Sequence, residues 1–213
     1  MPDRDDYLKG SEVRLWSLIA ARAKAGADVH AIDARIWDLF GDDWAVMFTD
    51  LSGFSRQVAK FGIIHFLQVI YEQKELLLPI VAEHDGILVK IEADSFLILF
   101  KRARGALACA LEMQRACQQL NARRTPEEQV LLCVGIGHGR VLRIGDADVF
   151  GAEVNAASKL GEDTAKANEI LLTGRCHAAL GEVAGLGVGV EPIDVLVPGS
   201  EKNVRVTYQH ARV

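Results

Sequence analysis

Two aspartates stand where short apolar segments end, Asp50 after the run WAVMFT and Asp94 within the run VKIEADSF. Aspartates at such places often form turns, because their carboxylates hydrogen-bond the nearby backbone. If the two carboxylates converge, they also suit hard divalent cations such as Mg²⁺ or Mn²⁺, which prefer oxygen ligands and phosphates. Two such ions can stabilise the attacking and leaving oxygens of a phosphoryl displacement. The pair therefore leaves two hypotheses open, turn formation and a metal site for phosphate chemistry.

The order of the predicted elements brings the two aspartates together. Apolar runs predict strands, and apolar residues at steps of three and four predict amphipathic helices. The predicted elements are a strand at 44–49, a helix at 55–82 that Pro79 kinks or ends early, strands at 87–92 and 95–100, a helix at 103–120 and a strand at 130–137. This order is that of a ferredoxin-like βαββαβ core, an α+β fold with an antiparallel-rich sheet and helices on one face. The first and third strands of that core are adjacent, so Asp50 and Asp94 should converge.

The remaining segments extend this core at both ends. Helical patterns at 13–24 and 31–40 predict a short helical extension over residues 1–43. After a turn at 148–151, a third helix is predicted at 152–167, followed by strands at 169–172 and 203–208. We therefore expect one domain over residues 44–213 behind the extension.

Composition excludes several classes of function. The 213 residues are 50% hydrophobic and carry a formal net charge of -5, which argues against binding along a nucleic-acid backbone. Apolar runs stay well short of the roughly 20 residues that a membrane span needs, so we expect a cytoplasmic protein without a membrane segment. The cysteines lack CxxC spacing and are expected to be small core residues. They are Cys109, Cys117, Cys133 and Cys176.

Three motifs in order carry a resemblance to a known family. Residues 48–55 (FTDLSGFS) match F-x-D-[aliphatic]-x-G-F-[TS], and residues 90–94 (KIEAD) match K-x-x-G-D with alanine in place of glycine. Residues 148–159 (DVFGAEVNAASK) match D-[VI]-W-G-x-x-V-N-x-A-[SA]-R, with phenylalanine for tryptophan and lysine for arginine. Over about residues 44–173 the chain thus resembles the class III adenylate and guanylate cyclases.

The resemblance implies a reaction and a metal site. The family fold would be the class III nucleotide cyclase fold, and the reaction would convert ATP to 3',5'-cyclic AMP and pyrophosphate by two-metal in-line attack of the ribose 3'-hydroxyl on the α-phosphate. Asp50, Asp94 and the Leu51 carbonyl would bind two divalent ions, Mg²⁺ or Mn²⁺. Backbone N–H groups at a glycine turn before a helix suit a triphosphate. The residues of that turn are Gly53, Phe54 and Ser55.

The resemblance also assigns the base, the ribose and the partner. Lys90 and Asp148 would recognise adenine, Asn155 would orient the ribose, and Lys159 would stand where the family has an arginine on the transferred phosphoryl group. Lysine lacks the planar fork of arginine, so we expect a rate lower by about tenfold to a thousandfold. In the family the metal aspartates and the other site residues come from different subunits, which implies a homodimer with two sites and an inactive monomer.

Other functions remain open beside this one. The lysine at position 159 and the alanine at position 93 also fit a degenerate cyclase that binds ATP or a related nucleotide and acts as a regulatory or sensing dimer with little turnover. A cyclase for another nucleotide is a third hypothesis, against which the Lys90 and Asp148 pair speaks. A diguanylate cyclase would need a GG[DE]EF turn, whereas the hairpin here has IEADSF.

Overall fold

The computed structural model describes residues 10–181 and 184–208, apart from the side chains at 54–57 and 184. The first nine residues of the predicted extension and residues 209–213 of the predicted domain lie outside the described ranges. The strands are β1 (Gly41–Leu51), β2 (Ile87–Glu92), β3 (Ser95–Phe100), β4 (Leu132–Ile144), β5 (Asp148–Phe150), β6 (Ile170–Leu172), β7 (Gly189–Pro192) and β8 (Val204–Thr207). The α-helices are α1 (Gly10–Arg22), α2 (Val29–Phe40), α3 (Phe54–Phe61), α4 (Ile63–Glu83), α5 (Ala103–Asn121), α6 (Ala152–Ser158) and α7 (Gly174–Leu180).

These strands form one mostly antiparallel sheet in the order β2-β3-β1-β4-β6-β8-β7, with β5 paired to the C-terminal end of β4. Of the pairings described, that of β4 with β6 is parallel and the others are antiparallel. The α+β class and the βαββαβ core are confirmed. Strands β1 and β3 are neighbours, as the predicted core requires.

The two faces of the sheet carry different helices. Ala45 and Met47 of β1 pack into the main core with residues of α4, α5 and α7. Trp44 and Val46 point to the opposite face, because side chains alternate along a strand, and pack there with Val154 of α6. The two core helices therefore share one face as predicted, while α6 covers part of the other.

The single helix predicted at 55–82 is wrong, because two helices occupy this segment. Gly62 separates α3 from α4 with φ 85, a left-handed conformation that glycine adopts without a Cβ penalty. Pro79 does not end α4 early, and the helix continues to Glu83. The buried side chains of Ile80 and Val81 hold this last turn on the core.

The segment after β4 also departs from the prediction. The turn expected at 148–151 begins as the strand β5, which forms a hairpin with an extended β4. The helix expected at 152–167 is α6 followed by a π-helical turn at Lys159–Thr164. The chain leaves the helix at Ala165, whose extended backbone follows the wider i to i+5 hydrogen bonding of that turn.

The first two helices pack on the far end of β4. Leu15, Leu18, Ile36 and Phe40 form a small cluster with Ile144. Helix α2 ends at Phe40 and β1 begins at the next residue, so no linker separates the helices from the sheet. The domain boundary at residue 43 stays a prediction.

All four cysteines are buried and free of disulfides, as expected for core residues. Burial raises the pKa of each thiol, to about 12 for Cys109, Cys117 and Cys133. Among the helices of the described ranges, none is long and apolar enough to cross a membrane.

Candidate active site

Asp50 and Asp94 meet where β1 ends beside the β2–β3 hairpin. The Oδ1 atom of Asp50 accepts a hydrogen bond of 3.2 Å from the Ser95 hydroxyl, and the Oδ2 atom of Asp94 accepts one of 3.3 Å from the Leu51 N–H. The hairpin turn is tight enough to hold Ala93 at φ 53, where the family motif has glycine. The adjacent strands thus bring the two carboxylates together.

Burial disfavours ionisation of both carboxylates, and the charge of Asp94 adds to this effect at Asp50. Desolvation, followed by the charge of Asp94, raises the pKa of Asp50 to about 6, against the opposing hydrogen bonds from Ser95 and Leu51. Desolvation also raises the pKa of Asp94, which is only 7% exposed. A bound cation would relieve both effects, since a nearby positive charge favours the ionised form.

The donor set fits Mg²⁺ or Mn²⁺ better than a metal held in a closed protein cage. Within the described residues, no group of three or more His, Cys, Asp or Glu side chains has the geometry to hold a metal ion. Structural zinc sites need four protein ligands, whereas Mg²⁺ is commonly held by one or two carboxylates and completed by substrate phosphates and water. Asp50 and Asp94 with the Leu51 carbonyl match the second pattern.

A glycine turn precedes α3 directly after the first aspartate. Gly53 has φ 92, a left-handed conformation, directly before the helix begins at Phe54. The first N–H groups of a helix have no intrahelical partner and attract anions. The backbone of Phe54 and Ser55 lies at this helix start, as the predicted triphosphate contact requires, while their side chains lie outside the described part.

Lys90 and Asp148 form a direct ion pair, with Nζ 2.7 Å from Oδ2. Lys90 comes from β2 and Asp148 is the first residue of β5, which the β4–β5 hairpin carries back towards the sheet. Both side chains are about one third exposed and line a cavity of about 250 Å³. Its other lining residues are Phe48, Glu92, Ser95, Leu97, Val149, Val154, Ser158 and Glu162.

Strand register places this cavity on the same face of the sheet as the Asp50 side chain. Phe48 is opposite Leu97, which is in turn opposite Lys90, and directly opposed residues of antiparallel strands share a face. Asp50 follows Phe48 by two residues and therefore points the same way. Ser95 both lines the cavity and donates to Asp50, so the two groups of residues are contiguous.

Asn155 and Lys159 are exposed near the end of α6. The Lys159 ammonium lies 2.5 Å from Asp163, and hydrogen bonding with this carboxylate raises the pKa of Lys159. Among the hydrogen bonds and ion pairs of the described residues, none joins Lys159 to Asp50 or Asp94. One protomer thus brings together the two aspartates and the Lys90–Asp148 pair, but not Lys159 and the aspartates.

Comparison with known proteins identifies the fold that carries this arrangement. The family model described as the adenylate and guanylate cyclase catalytic domain matches residues 40–209. The chain belongs to this family. The resemblance that the three motifs carried is thereby confirmed.

Relatives of this cyclase domain agree in sequence and in structure. A Rhizobium meliloti (strain 1021) protein named "Putative adenylate cyclase 3" is 29% identical over 116 residues, which cover 54% of this chain and 20% of that protein. The chain therefore spans about a fifth of that relative's length. The adenylate/guanylate cyclase/hydrolase from Silicibacter pomeroyi has a TM-score of 0.67 at 23% identity, covering 79% of this chain and 98% of that chain. The adenylyl cyclase CyaB from P. aeruginosa has a TM-score of 0.66 at 19% identity, with 81% and 97% covered.

Three polar residues at the candidate site were missed in the sequence. Gln73, fully buried on α4, donates 2.9 Å to the Asp94 carbonyl and so fixes the hairpin turn. Its signal was a polar residue within the apolar stripe of that helix. Ser95, which binds Asp50, follows the predicted Asp94 directly. Glu162 bonds to Ser158, lines the cavity and helps raise the pKa of Asp50, and no spacing rule singles it out.

Proposed function

We propose that this cyclase domain is an adenylate cyclase. In the proposed reaction the ribose 3'-oxygen of ATP bonds to the α-phosphorus, the bond from that phosphorus to the β-phosphate bridging oxygen breaks, and 3',5'-cyclic AMP and pyrophosphate leave. The proton of the 3'-hydroxyl passes to solvent or to a basic group at the site. Lys90 and Asp148, a donor and an acceptor held 2.7 Å apart in the lining of one cavity, are the observation that supports ATP as the substrate.

Base selection follows from the polarity of this pair. The Lys90 ammonium can donate to adenine N1, and the Asp148 carboxylate can accept from the adenine N6 amine. Guanine presents an N–H at position 1 and a carbonyl oxygen at position 6, so each of its groups would meet a partner of the wrong kind. A hydrogen-bonding group whose partner is of the wrong kind loses its contact with water without gaining a new one, which disfavours guanine.

The other residues would bind and orient the phosphates and the ribose. Asp50, Asp94 and the Leu51 carbonyl would hold two divalent ions, which supply Lewis-acid stabilisation of charge at the reacting oxygens. The backbone N–H groups at the start of α3 would donate to triphosphate oxygens. These groups belong to Gly53, Phe54 and Ser55.

The end of α6 would complete the site. There Asn155 would orient the ribose, and Lys159 would offset negative charge on the transferred phosphoryl group. Both side chains are exposed, so they are accessible to a ligand or to a second subunit. The Lys159 ammonium would lower the barrier to reaction if it contacts the phosphoryl oxygens more strongly in the transition state than in bound ATP.

We further propose that two copies of the chain form a homodimer with two shared sites. In each site one protomer would provide Asp50 and Asp94, and its partner would provide Lys90, Asp148, Asn155 and Lys159. The exposure of Asn155 and Lys159, and the lack of a contact between Lys159 and the aspartates among the described residues, support this division. For Lys90 and Asp148 the division rests on the family resemblance. A closed twofold dimer would build both sites from one sequence.

A turnover assay tests the proposed function. Purified protein is incubated with ATP or GTP and with Mg²⁺ or Mn²⁺, and cyclic nucleotide and pyrophosphate are measured. We expect cyclic AMP from ATP, no product from Asp50→Ala, and normal product from the matched control Asp33→Ala, which loses a surface aspartate of α2 that pairs with Arg22. Cyclic GMP as the main product would contradict the assignment to ATP.

One observation favours a second candidate, a nucleotide-binding regulatory dimer with little turnover. Lys159 stands in place of the family arginine and is paired with Asp163 in the structure, so its charge is partly neutralised. Binding of ATP by a folded dimer that forms no cyclic nucleotide with either metal would support this candidate over the first. Isothermal titration with ATP, run beside the turnover assay, separates the two.

A further inference from the structure

A stripe of glycines on β4 lets the backbone of α6 lie directly on the strand. An added Cβ at Gly135 would come within 2.2 Å of the Ala157 carbonyl oxygen, and one at Gly137 within 2.5 Å of the Glu153 carbonyl oxygen. Gly161 in the π-helical turn is similarly close, with a Cβ position 2.8 Å from the carbonyl oxygen of Phe48 in β1. Backbone contact therefore replaces side chains between helix and strand, and the helix has little freedom to shift inward.

Glu153 is a charged residue buried in this contact. It is 1% exposed, although it lies in the first turn of α6. Its Oε2 atom accepts two hydrogen bonds, one of 3.1 Å from the His138 N–H on β4 and one of 2.7 Å from the Thr173 hydroxyl. Its Oε1 atom has no hydrogen bond within the described structure and lies 3.7 Å from Nε of Arg175.

The Glu153 carboxylate lies beside β4 at the point where β4 is no longer paired with β6. Strand β6 pairs with β4 up to Ile136, and the next residue after β6, Thr173, donates its N–H to the Ile136 carbonyl. Beyond that point the His138 N–H donates to the Glu153 carboxylate instead of to a strand. Thr173 also caps α7, because its hydroxyl accepts from the Cys176 N–H. The Oε2 atom of Glu153 thus connects the start of α6 with β4 through the His138 N–H, and with the start of α7 through the Thr173 hydroxyl.

We infer that Glu153 is a positioning residue that sets the rotation and reach of α6, and through it Asn155 and Lys159. The inference rests on the proposed function only for its effect on turnover. Asn155 is two residues and Lys159 six residues further along the same short helical segment, so a rotation about its axis displaces both. A displacement of about 1 Å at such groups costs on the order of a hundredfold in rate.

Because a single oxygen of Glu153 accepts both hydrogen bonds, two substitutions can separate the loss of the charge from the loss of these bonds. Glu153→Gln keeps an amide oxygen that can accept from both His138 and Thr173, whereas Glu153→Ala removes both bonds. We expect Glu153→Gln to stay within about fivefold of wild-type turnover and Glu153→Ala to lose about ten- to a hundredfold in kcat with a smaller change in KM, by the positioning argument above. Asn121→Ala is the matched control, since Asn121 makes two hydrogen bonds, of 2.8 and 2.9 Å, with Val130 away from α6.

Hydrogen exchange of the full chain gives a readout that needs no activity. We expect amide protection at 152–164 and 173–176 to fall in Glu153→Ala by about tenfold or more relative to wild type, and not in Asn121→Ala, because local opening reports local contacts. If Glu153→Ala fails to fold, Thr173→Val removes one of the two bonds and should lower protection at 152–164, the segment that reports on Glu153 in this variant because the substitution also removes the cap of α7. Unchanged protection in these segments would overturn the inference, even if the wild-type protein proved inactive. Lost protection with unchanged turnover in an active enzyme would overturn the catalytic part.

Discussion

At the scale of single residues, the charge of Asp50 lowers the free energy of unfolding of the metal-free protein at neutral pH. Asp50 is partly buried beside a second carboxylate, and its pKa is raised to about 6 from the usual value near 3.8. An acid whose pKa is raised by folding stabilises the folded state below its unfolded pKa, and this contribution is lost as the pH rises through the folded pKa. At neutral pH the metal-free protein therefore bears the unfavourable charge.

Asp50→Asn should stabilise the metal-free protein at pH 7. Removing the charge should raise the free energy of unfolding by about 1 to 3 kcal/mol, the size that a pKa displacement of this order implies. The gain should shrink between pH 6 and pH 4, where wild-type Asp50 takes up a proton. Thermal unfolding in the presence of a chelator measures this difference across the pH range. A pH-independent difference between the two proteins would contradict the role of Asp50 ionisation. Adding Mn²⁺ should reverse the order at pH 7, since only the wild type keeps both carboxylates.

Lys159→Arg should increase turnover. Arginine presents two N–H groups in a plane and can bond two phosphate oxygens at once, which lysine cannot do. We expect kcat to rise by about tenfold or more at saturating ATP, with Asp163 available to either cation. Steady-state kinetics with ATP and Mn²⁺ measures the effect, and Lys166→Arg on the following loop serves as the control. Equal kcat in Lys159→Arg and wild type would exclude this helix face from the transition state.

At the scale of elements, the contact of α6 with β4 allows no added atoms. Gly135→Ala should destabilise the protein by about 3 kcal/mol or more and lower turnover, because the new methyl group would overlap the backbone of Ala157 and Gly161. Gly105→Ala is the matched control. Gly105 lies in α5 with the nearest atom 4.0 Å from the place of an added methyl group, and alanine is the better helix former, so stability should stay equal or rise slightly. Urea unfolding of both variants compares the two. Equal stability of the two variants would show that α6 can move away from the strand without loss.

Elements also show how far the sequence could predict this molecule. Periodicity and turn residues are local signals, and they were enough for the order of the core and for the meeting of Asp50 with Asp94. They missed the break at Gly62, because the apolar spacing continues across it, and the strand β5, whose three residues exist through pairing with β4. Glu153 and Gln73 were missed for a related reason. Their partners lie on other elements, so the sequence could at most mark Gln73 as a polar residue in an apolar stripe and could not show which group it binds.

At the scale of the whole molecule, the proposed dimer can be tested by mixing two inactive variants. Asp50→Ala lacks a residue of one half-site and Asn155→Ala a residue of the other. In a mixed dimer one site collects both defects and the other is intact, provided that the halves come from different protomers. Random exchange makes half of the dimers mixed, so activity should recover to about a quarter of wild type.

A site contained in one protomer gives a different result. Mixing would then restore no activity, because every site would carry one defect. A variant with both substitutions in the same chain, mixed with wild type, provides the control for subunit exchange. With shared sites, both sites of a mixed dimer carry a defect, so an equal mixture should lower the activity per wild-type chain to about half. Unchanged activity per wild-type chain would indicate sites contained in one protomer or a lack of exchange.

The four buried cysteines make the exchange itself observable. A thiol reacts with a maleimide dye as the thiolate, and burial keeps the native thiols both protonated and out of reach at neutral pH. A single cysteine introduced on the surface, for example in place of the exposed Ala20 on α1 or Glu201 before β8, should therefore be labelled alone without removing the native ones. Energy transfer between donor- and acceptor-labelled copies would then report how fast two protomers find and leave each other, with the natural core of the protein left intact.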